Sequence, residues 1–180
     1  MTGRLIGVVG ASGVGKDTVM GALAAAWPEV HLARRVITRP RDLDGEDFQA
    51  VSEASFGRLV AKDAFCLHWR AHGLAYGIPR NVAERVTDGE TILANLSRRV
   101  LPQAAALFTG FVTLHLTAKP ETLAARLSGR GRETQLDISR RLARAEMSLP
   151  KDVCVFDVAN DGALEDTVTN VLRLFHPVRS

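Results

Sequence analysis

The sequence predicts an α/β fold in one domain: a mainly parallel sheet with helices on both faces. Three observations carry this. Short apolar runs alternate with segments of helical periodicity. The first such pair encloses a glycine-rich loop. The 180 residues, 46% hydrophobic and 24% charged with mean hydropathy +0.03, suffice for one core and are few for two.

The run "RLIGVV" (4–9) reads as the first strand, and "KDTVMGALAAAW" (16–27) as the helix after it. Further strands are expected at "TILANL" (91–96), "FVTLHLT" (111–117) and "DVCVFDV" (152–158). Helical segments follow, among them "PETLAARL", with Pro120 suited to a first turn, and "ALEDTVTNVLRLF". This alternation implies right-handed crossovers and a parallel sheet, which binds ligands beyond its carboxyl ends, where the first loop lies. Two segments break the pattern: 34–87, rich in Arg, Asp and Gly, and 129–150. They are expected to be a substrate lobe and a helical lid on a core of 1–33, 88–128 and 151–180.

Several function classes recede on composition. No apolar run approaches the ~20 residues of a membrane span, and "MTGRLIGVVG" lacks a signal sequence, so the expected compartment is the cytoplasm. Cys66 and Cys154 belong to no C-x-x-C pair and read as reduced thiols. Few aromatics, no recognition motif and a net charge of +3 argue against nucleic acid. The 19 Arg against 4 Lys suit phosphate binding, although compositional bias would yield the same excess. His68 and His72 could share a helix face, but without a third ligand a structural or substrate-side use is expected. Asp42, Asp44, Glu46 and Asp47 lack the spacing of a calcium loop and read as a solvated turn. Trp27 and Trp69 read as core or pocket wall.

The spacing Gly10-x-x-x-x-Gly15-Lys16 is that of a phosphate loop. Backbone N–H groups from Gly10, Ala11, Ser12, Gly13, Val14, Gly15, Lys16, Asp17 and Thr18 would curl around a polyphosphate, with Lys16 reaching its terminal phosphates. Those three positions alone would match by chance in roughly 5% of chains this long; Gly13 and the flanking strand and helix make the signal specific. Asp17 stands where such loops carry Ser or Thr. Its hard oxygen suits Mg²⁺, with Thr18 offering a hydroxyl one residue later. The alternative is an acid favourably placed in a helix first turn.

Beyond the loop, the sequence resembles the guanylate-kinase-like phosphate-loop kinases over nearly its whole length. "RLSGRGRETQLDISRRLARAE" is similar to the family's lid and implies phosphate contacts for Arg130 and Arg141. "VAND" resembles a strand-end motif at the adenine pocket and brings in Asn160. "ITRPR" and "HGLAYG" resemble acceptor-gripping motifs and bring in Arg39, Arg41 and Tyr76. The resemblance implies a P-loop kinase three-layer sandwich with an acceptor-binding insertion and a helical lid, using ATP and Mg²⁺.

The departures are informative. The family's guanine-reading Glu corresponds to Leu67, its nearby serine to Arg35, the serine-like position after "YG" to Ile78, and a phosphate-binding tyrosine to Phe48. A pocket without polar partners for a purine does not select guanine. One branch resembles this sequence in these changes together, in "GKD" and in "NxSR" at Asn95 to Arg98: the ribose 1,5-bisphosphate phosphokinases of phosphonate breakdown. That branch implies transfer of the ATP γ-phosphoryl to the acceptor's 1-phosphate, giving 5-phosphoribosyl 1-diphosphate. The attacking oxygen is already anionic, so no general base is required. Lys16, Arg39, Arg130 and Arg141 would then carry catalysis by positioning and charge neutralisation. Arg35, Arg98 and Arg99 are candidates for the second sugar phosphate, or are surface arginines. The expected partner is a small phosphorylated sugar, with no nucleic acid and no membrane, on a monomer or homodimer. A guanylate kinase and a non-catalytic guanylate-kinase-like binding module are the rival readings; intact Gly15, Lys16 and lid arginines argue against the module.

Overall fold

The three-dimensional structure is a computed structural model that describes residues 3–40, 46–128 and 148–175. Five parallel strands form the main sheet: β1 (Arg4–Gly10), β2 (Val30–Leu32), β7 (Thr91–Asn95), β8 (Val112–Thr117) and β9 (Val155–Ala159). Their spatial order is β2-β7-β1-β8-β9, so the first strand is central and is buried along Leu5–Val9. A strand covered on both faces must be apolar almost throughout, which is why "RLIGVV" reads without alternation. The four expected strands are all present. The edge strand β2 was not foreseen: three residues, two of them exposed, leave no periodic signal.

Helices α1 (Lys16–Ala26) and α6 (Leu164–Phe175) cover one face. Val19, Met20 and Leu23 of α1 and Val168, Val171 and Phe175 of α6 pack on Ile6, Val8, Leu93, Leu114 and Leu116. The opposite face carries Leu5, Val9, Ile92 and Ala94. It is covered by α3 (Asn81–Thr87), by the turn of 3-10 helix at Arg98–Val100 and by α4 (Leu101–Leu107). Helix α5 (Pro120–Ser128) follows β8, with Pro120 opening it as expected. The result is the predicted α/β sandwich with a parallel sheet at its centre.

A second sheet occupies the first interruption, in the order β4-β3-β6-β5. Its strands are β3 (Val36–Ile37), β4 (Gln49–Ala50), β5 (Phe65–Ala71) and β6 (Leu74–Pro79), with α2 (Glu53–Ala61) between β4 and β5. "HG" is the two-residue tip of the β5–β6 hairpin: His72 and Gly73 both take positive φ, 54° and 75°, as a tight turn with right-handed strand twist demands. His68 therefore lies on a strand and His72 on a turn, not on one helix face. Gly77 of "YG" is a packing residue, since a Cβ there would come within 2.5 Å of the Phe65 ring.

The two sheets share a core. Leu67 of β5 and Ile78 of β6 are fully buried in the same cluster as Leu5, Val9 and Ile92. Trp27 is core, as expected, at 5% exposure. Among the described residues, no helix is long and apolar enough to cross a membrane.

Candidate active site

The loop between β1 and α1 is held open by its own geometry. Gly13 and Gly15 have φ of 85° and 92°, in the left-handed region that favours glycine. Gly15 caps α1 without any side-chain hydrogen bond, so the first-turn N–H groups keep no side-chain partner. An uncapped N-terminus of this kind is a binding place for an anion. Lys16 folds back and donates from Nζ to the carbonyls of Gly10 (3.0 Å) and Ala11 (3.1 Å). Burial pushes its ammonium down to about 8, against a smaller opposing pull from Asp17. The loop thus presents a desolvated cation beside a helix N-terminus that no side chain caps, which fits a polyphosphate.

Asp17 and Thr18 are both exposed on the first turn of α1. Parallel pairing sets Val8 of β1 beside Asn95 at the end of β7. From there Asn95 Nδ2 donates to Asp17 Oδ1 at 3.1 Å. Asn95 is 92% buried, its residue exposure being 8%, so it orients the carboxylate from beneath. A neutral amide leaves the carboxylate its charge, and the remaining oxygen suits a divalent cation. The sequence contains the pair in "NxSR" and "GKD", but only the strand register brings them together.

Asn160, which the resemblance brings to the adenine pocket, is 5% exposed beneath the phosphate loop. Its Nδ2 donates to the Val14 carbonyl at 2.7 Å, and its Oδ1 accepts from Thr167 Oγ1 at 2.8 Å. Both ends of the amide are engaged inside the protein, so its effect on a nucleotide passes through the loop. Arg126 of α5, which sequence reading missed, donates to the same carbonyl at 3.2 Å. Space is tight here: a Cβ on Gly15 would lie 2.9 Å from Asn160 Nδ2.

The acceptor side is a stack. Trp69 and Tyr76 lie parallel, centroids 5.4 Å apart at 8°. Arg35 places its guanidinium 5.2 Å above the Tyr76 ring. Its Nε and Nη2 donate to Glu46 at 2.7 and 2.8 Å. Glu46 is therefore not part of a solvated turn, although Asp47 is exposed and pairs with exposed Arg34 at 3.0 Å. Burial raises the Tyr76 hydroxyl above its ordinary range, keeping it protonated and able to donate. Trp69 is pocket wall.

Arg39 sits 4.5 Å over the face of Phe48, which is 2% exposed. Phenylalanine in place of the family's tyrosine gives up a hydroxyl but keeps a ring face for the cation. The Arg39 Nε is buried and meets no hydrogen-bond partner among the described residues. Arg98 opens the turn after β7, and burial lowers its guanidinium from the ordinary value. Arg35, Glu46 and Arg98 lie close enough to Lys16 for their charges to bear on its ammonium, Arg35 and Arg98 lowering it and Glu46 raising it. Arg41, Arg130 and Arg141 lie outside the described residues, as do Asp42 and Asp44.

A model of the guanylate kinase family matches residues 2–177. The chain belongs to the guanylate kinase family. Ribose 1,5-bisphosphate phosphokinase PhnN of Ruegeria sp. is 50% identical over 180 residues, covering 99% of this chain and 94% of that protein. The protein of the same name in Agrobacterium fabrum is 42% identical over 173 residues, 94% of each chain. The guanylate kinase of Anaplasma phagocytophilum superposes with a TM-score of 0.66 at 18% identity, covering 95% of this chain and 82% of that one. At that identity the likeness speaks for the fold alone.

Within the guanylate kinase family, what matters here is where the departures fall. Leu67 and Ile78, the counterparts of base-reading polar residues, are each 0% exposed and belong to the core. The space for a polar reader is filled by packing. Arg35, the counterpart of a small serine, is a large side chain, 8% exposed, that pairs with Glu46 over the Tyr76 ring.

Proposed function

We propose that this chain transfers the γ-phosphoryl group of ATP to the 1-phosphate of ribose 1,5-bisphosphate, producing ADP and 5-phosphoribosyl 1-diphosphate in phosphonate breakdown. The observation that carries the reading is the burial of Leu67 and Ile78 at 0% exposure; the cations we assign to the acceptor cleft are Arg35, Arg39 and Arg98. Such a cleft grips phosphates and offers a purine no polar partners at those positions. The names carried by the Ruegeria and Agrobacterium relatives support it.

Mg²⁺-bound ATP supplies the transferred group. The loop from Gly10 to Thr18 cradles its phosphates, Lys16 neutralises them, and Asp17 with Thr18 would hold the metal. Arg39, Tyr76 and Arg41 hold the acceptor, and Arg35 and Arg98 meet its second phosphate. Arg130 and Arg141, on sequence resemblance alone, are assigned to the transferring phosphates. A 1-phosphate oxygen forms the new P–O bond as the bond from the γ-phosphorus to the β–γ bridging oxygen breaks, and ADP leaves. No proton has to be removed from the nucleophile, so positioning and charge carry the rate.

An acceptor screen with Mg-ATP, following ADP release, tests this. Ribose 1,5-bisphosphate should exceed GMP in kcat/KM by about 100-fold or more, since missing buried polar partners discriminate strongly. Faster turnover of GMP than of any phosphorylated pentose would overturn the reading.

A further inference from the structure

Apart from Asp17 at the phosphate loop, the described residues on the acceptor side include a side chain of the wrong sign, Glu46. An acceptor recognised only by its phosphates needs cations and donors, which Lys16, Arg35, Arg39, Arg98 and Tyr76 provide. Glu46 would repel it. Yet Glu46 is not a stray surface acid: its side chain is 15% exposed and that of Arg35 10%. A carboxylate so placed has accepting capacity beyond one guanidinium.

Its bonding leaves room for that. Glu46 Oε1 accepts from Arg35 Nε at 2.7 Å and also lies 2.6 Å from Nη2, which donates to Oε2 at 2.8 Å. A carboxylate offers about four lone-pair sites, so roughly half its capacity remains. The Tyr76 ring under the guanidinium and Trp69 behind it fix the pair in one orientation. The proposed acceptor carries hydroxyl donors on the ring between its two phosphates. A hydroxyl placed against an ionised, pre-oriented acceptor makes one of the stronger hydrogen bonds available.

We infer that Glu46 is a specificity-determining residue that accepts a hydrogen bond from a ring hydroxyl of the acceptor sugar while it holds Arg35 toward a phosphate. The inference rests on the pentose bisphosphate reading above. It adds that the cleft selects a hydroxylated sugar rather than any polyphosphate: the acid penalises an anion that brings no hydroxyl and rewards one that does.

The test compares ribose 1,5-bisphosphate with its 2-deoxy and 3-deoxy analogues, in the wild type, Glu46→Ala and Glu46→Gln. The wild type should disfavour at least one analogue by about 10- to 100-fold in kcat/KM, the scale of a hydrogen bond to a charged group. Glu46→Ala should lower kcat/KM for the natural acceptor and disfavour that analogue by less than threefold. Glu46→Gln, which retains a carbonyl acceptor and a partner for Arg35, should fall between. Each comparison is a ratio within one preparation, so a partly unfolded variant does not disturb it. Discrimination that survives in both variants, or is lacking in the wild type, overturns the role of Glu46. A wild type that turns over no pentose bisphosphate at all overturns the acceptor assignment itself, a result distinct from either.

Discussion

Lys16 is shielded from water and bound to two loop carbonyls, which sets up a proton count on nucleotide binding. With its ammonium lowered to about 8 from an ordinary 10.5, the free protein at pH 8.5 carries that proton in only a quarter of molecules, about 0.24. A bound polyphosphate in a dry cradle favours the charged form and refills it, so binding Mg-ATP should take up about 0.75 proton at pH 8.5. At pH 7 the site is already about 90% charged and the uptake should fall to about 0.1. A lysine at its ordinary value would take up about 0.01 at pH 8.5. The direction follows from the sign: a cation whose affinity for its proton is depressed in the free state and restored in the complex gains a proton on binding. Calorimetric titration of preformed Mg-ATP, in buffers of different ionisation enthalpy, reads the uptake directly. Lys16→Met should remove it along with most of the affinity. An uptake below about 0.1 proton at pH 8.5 in the wild type would refute the reasoning, because it would mean that Lys16 stays fully charged in the free loop.

Three further predictions concern the walls of the cleft. Asp17→Ser should raise the Mg²⁺ concentration for half-maximal rate about tenfold, the effect of losing roughly 1.4 kcal/mol of charged contact; an unchanged value excludes Asp17 from holding the metal. Asn160→Leu strips the buried Val14 carbonyl of its 2.7 Å donor, leaving only Arg126 at 3.2 Å, and takes from Thr167 its 2.8 Å acceptor, leaving the Ala159 carbonyl at 3.4 Å. It should cost about 1–3 kcal/mol in a denaturant melt and raise KM for ATP rather than for the acceptor; a selective effect on acceptor KM sinks the loop-holding role. Leu67→Glu restores the family's acid at a site that is 0% exposed. With no partner there, it should destabilise by about 3–5 kcal/mol and lower the melting temperature by roughly 10 °C without creating turnover of GMP; a stable variant that phosphorylates GMP would show that the position faces the cleft.

The legible part of the sequence was the part governed by local physics. Central strands buried on both faces must be apolar almost throughout, so β1, β7 and β8 stood out, edge strand β9 showed by its apolar run, and the loop's glycines marked φ values that other residues rarely adopt. The second sheet was hidden because β3 and β4 are two residues each, too short for any period to register. Glu46 was hidden for a different reason. It sits among three neighbouring acids, and a run of like charges reads as solvated surface. The bond from Gln49 N to the Arg35 carbonyl at 2.8 Å brings the two segments together, and that parallel contact turns Glu46 inward. No spacing rule anticipates a pair that depends on strand β4 returning alongside β3. Asn160 shows the converse: its motif located the right end of the sheet, but whether its amide faces a base or supports a loop depends on the Val14 carbonyl reaching down to it.

The two acids of the cleft explain how a site built from arginines avoids binding every polyphosphate alike. Cations alone would hold inorganic polyphosphate, nucleotides and sugar phosphates in proportion to charge, with little choice between them. Asp17 accepts from a neutral amide 3.1 Å away, and on the proposed reading its carboxylate disfavours phosphates that arrive without a metal. Glu46 is oriented by a cation, with bonds of 2.7 and 2.8 Å, so part of its charge is matched. On the proposed reading the first acid selects for the metal complex and the second for a hydroxyl beside a phosphate. Recognition of this kind can work while Leu67 and Ile78 stay sealed in the core, because selectivity has moved from reading a base to setting conditions on the anions that the arginines attract.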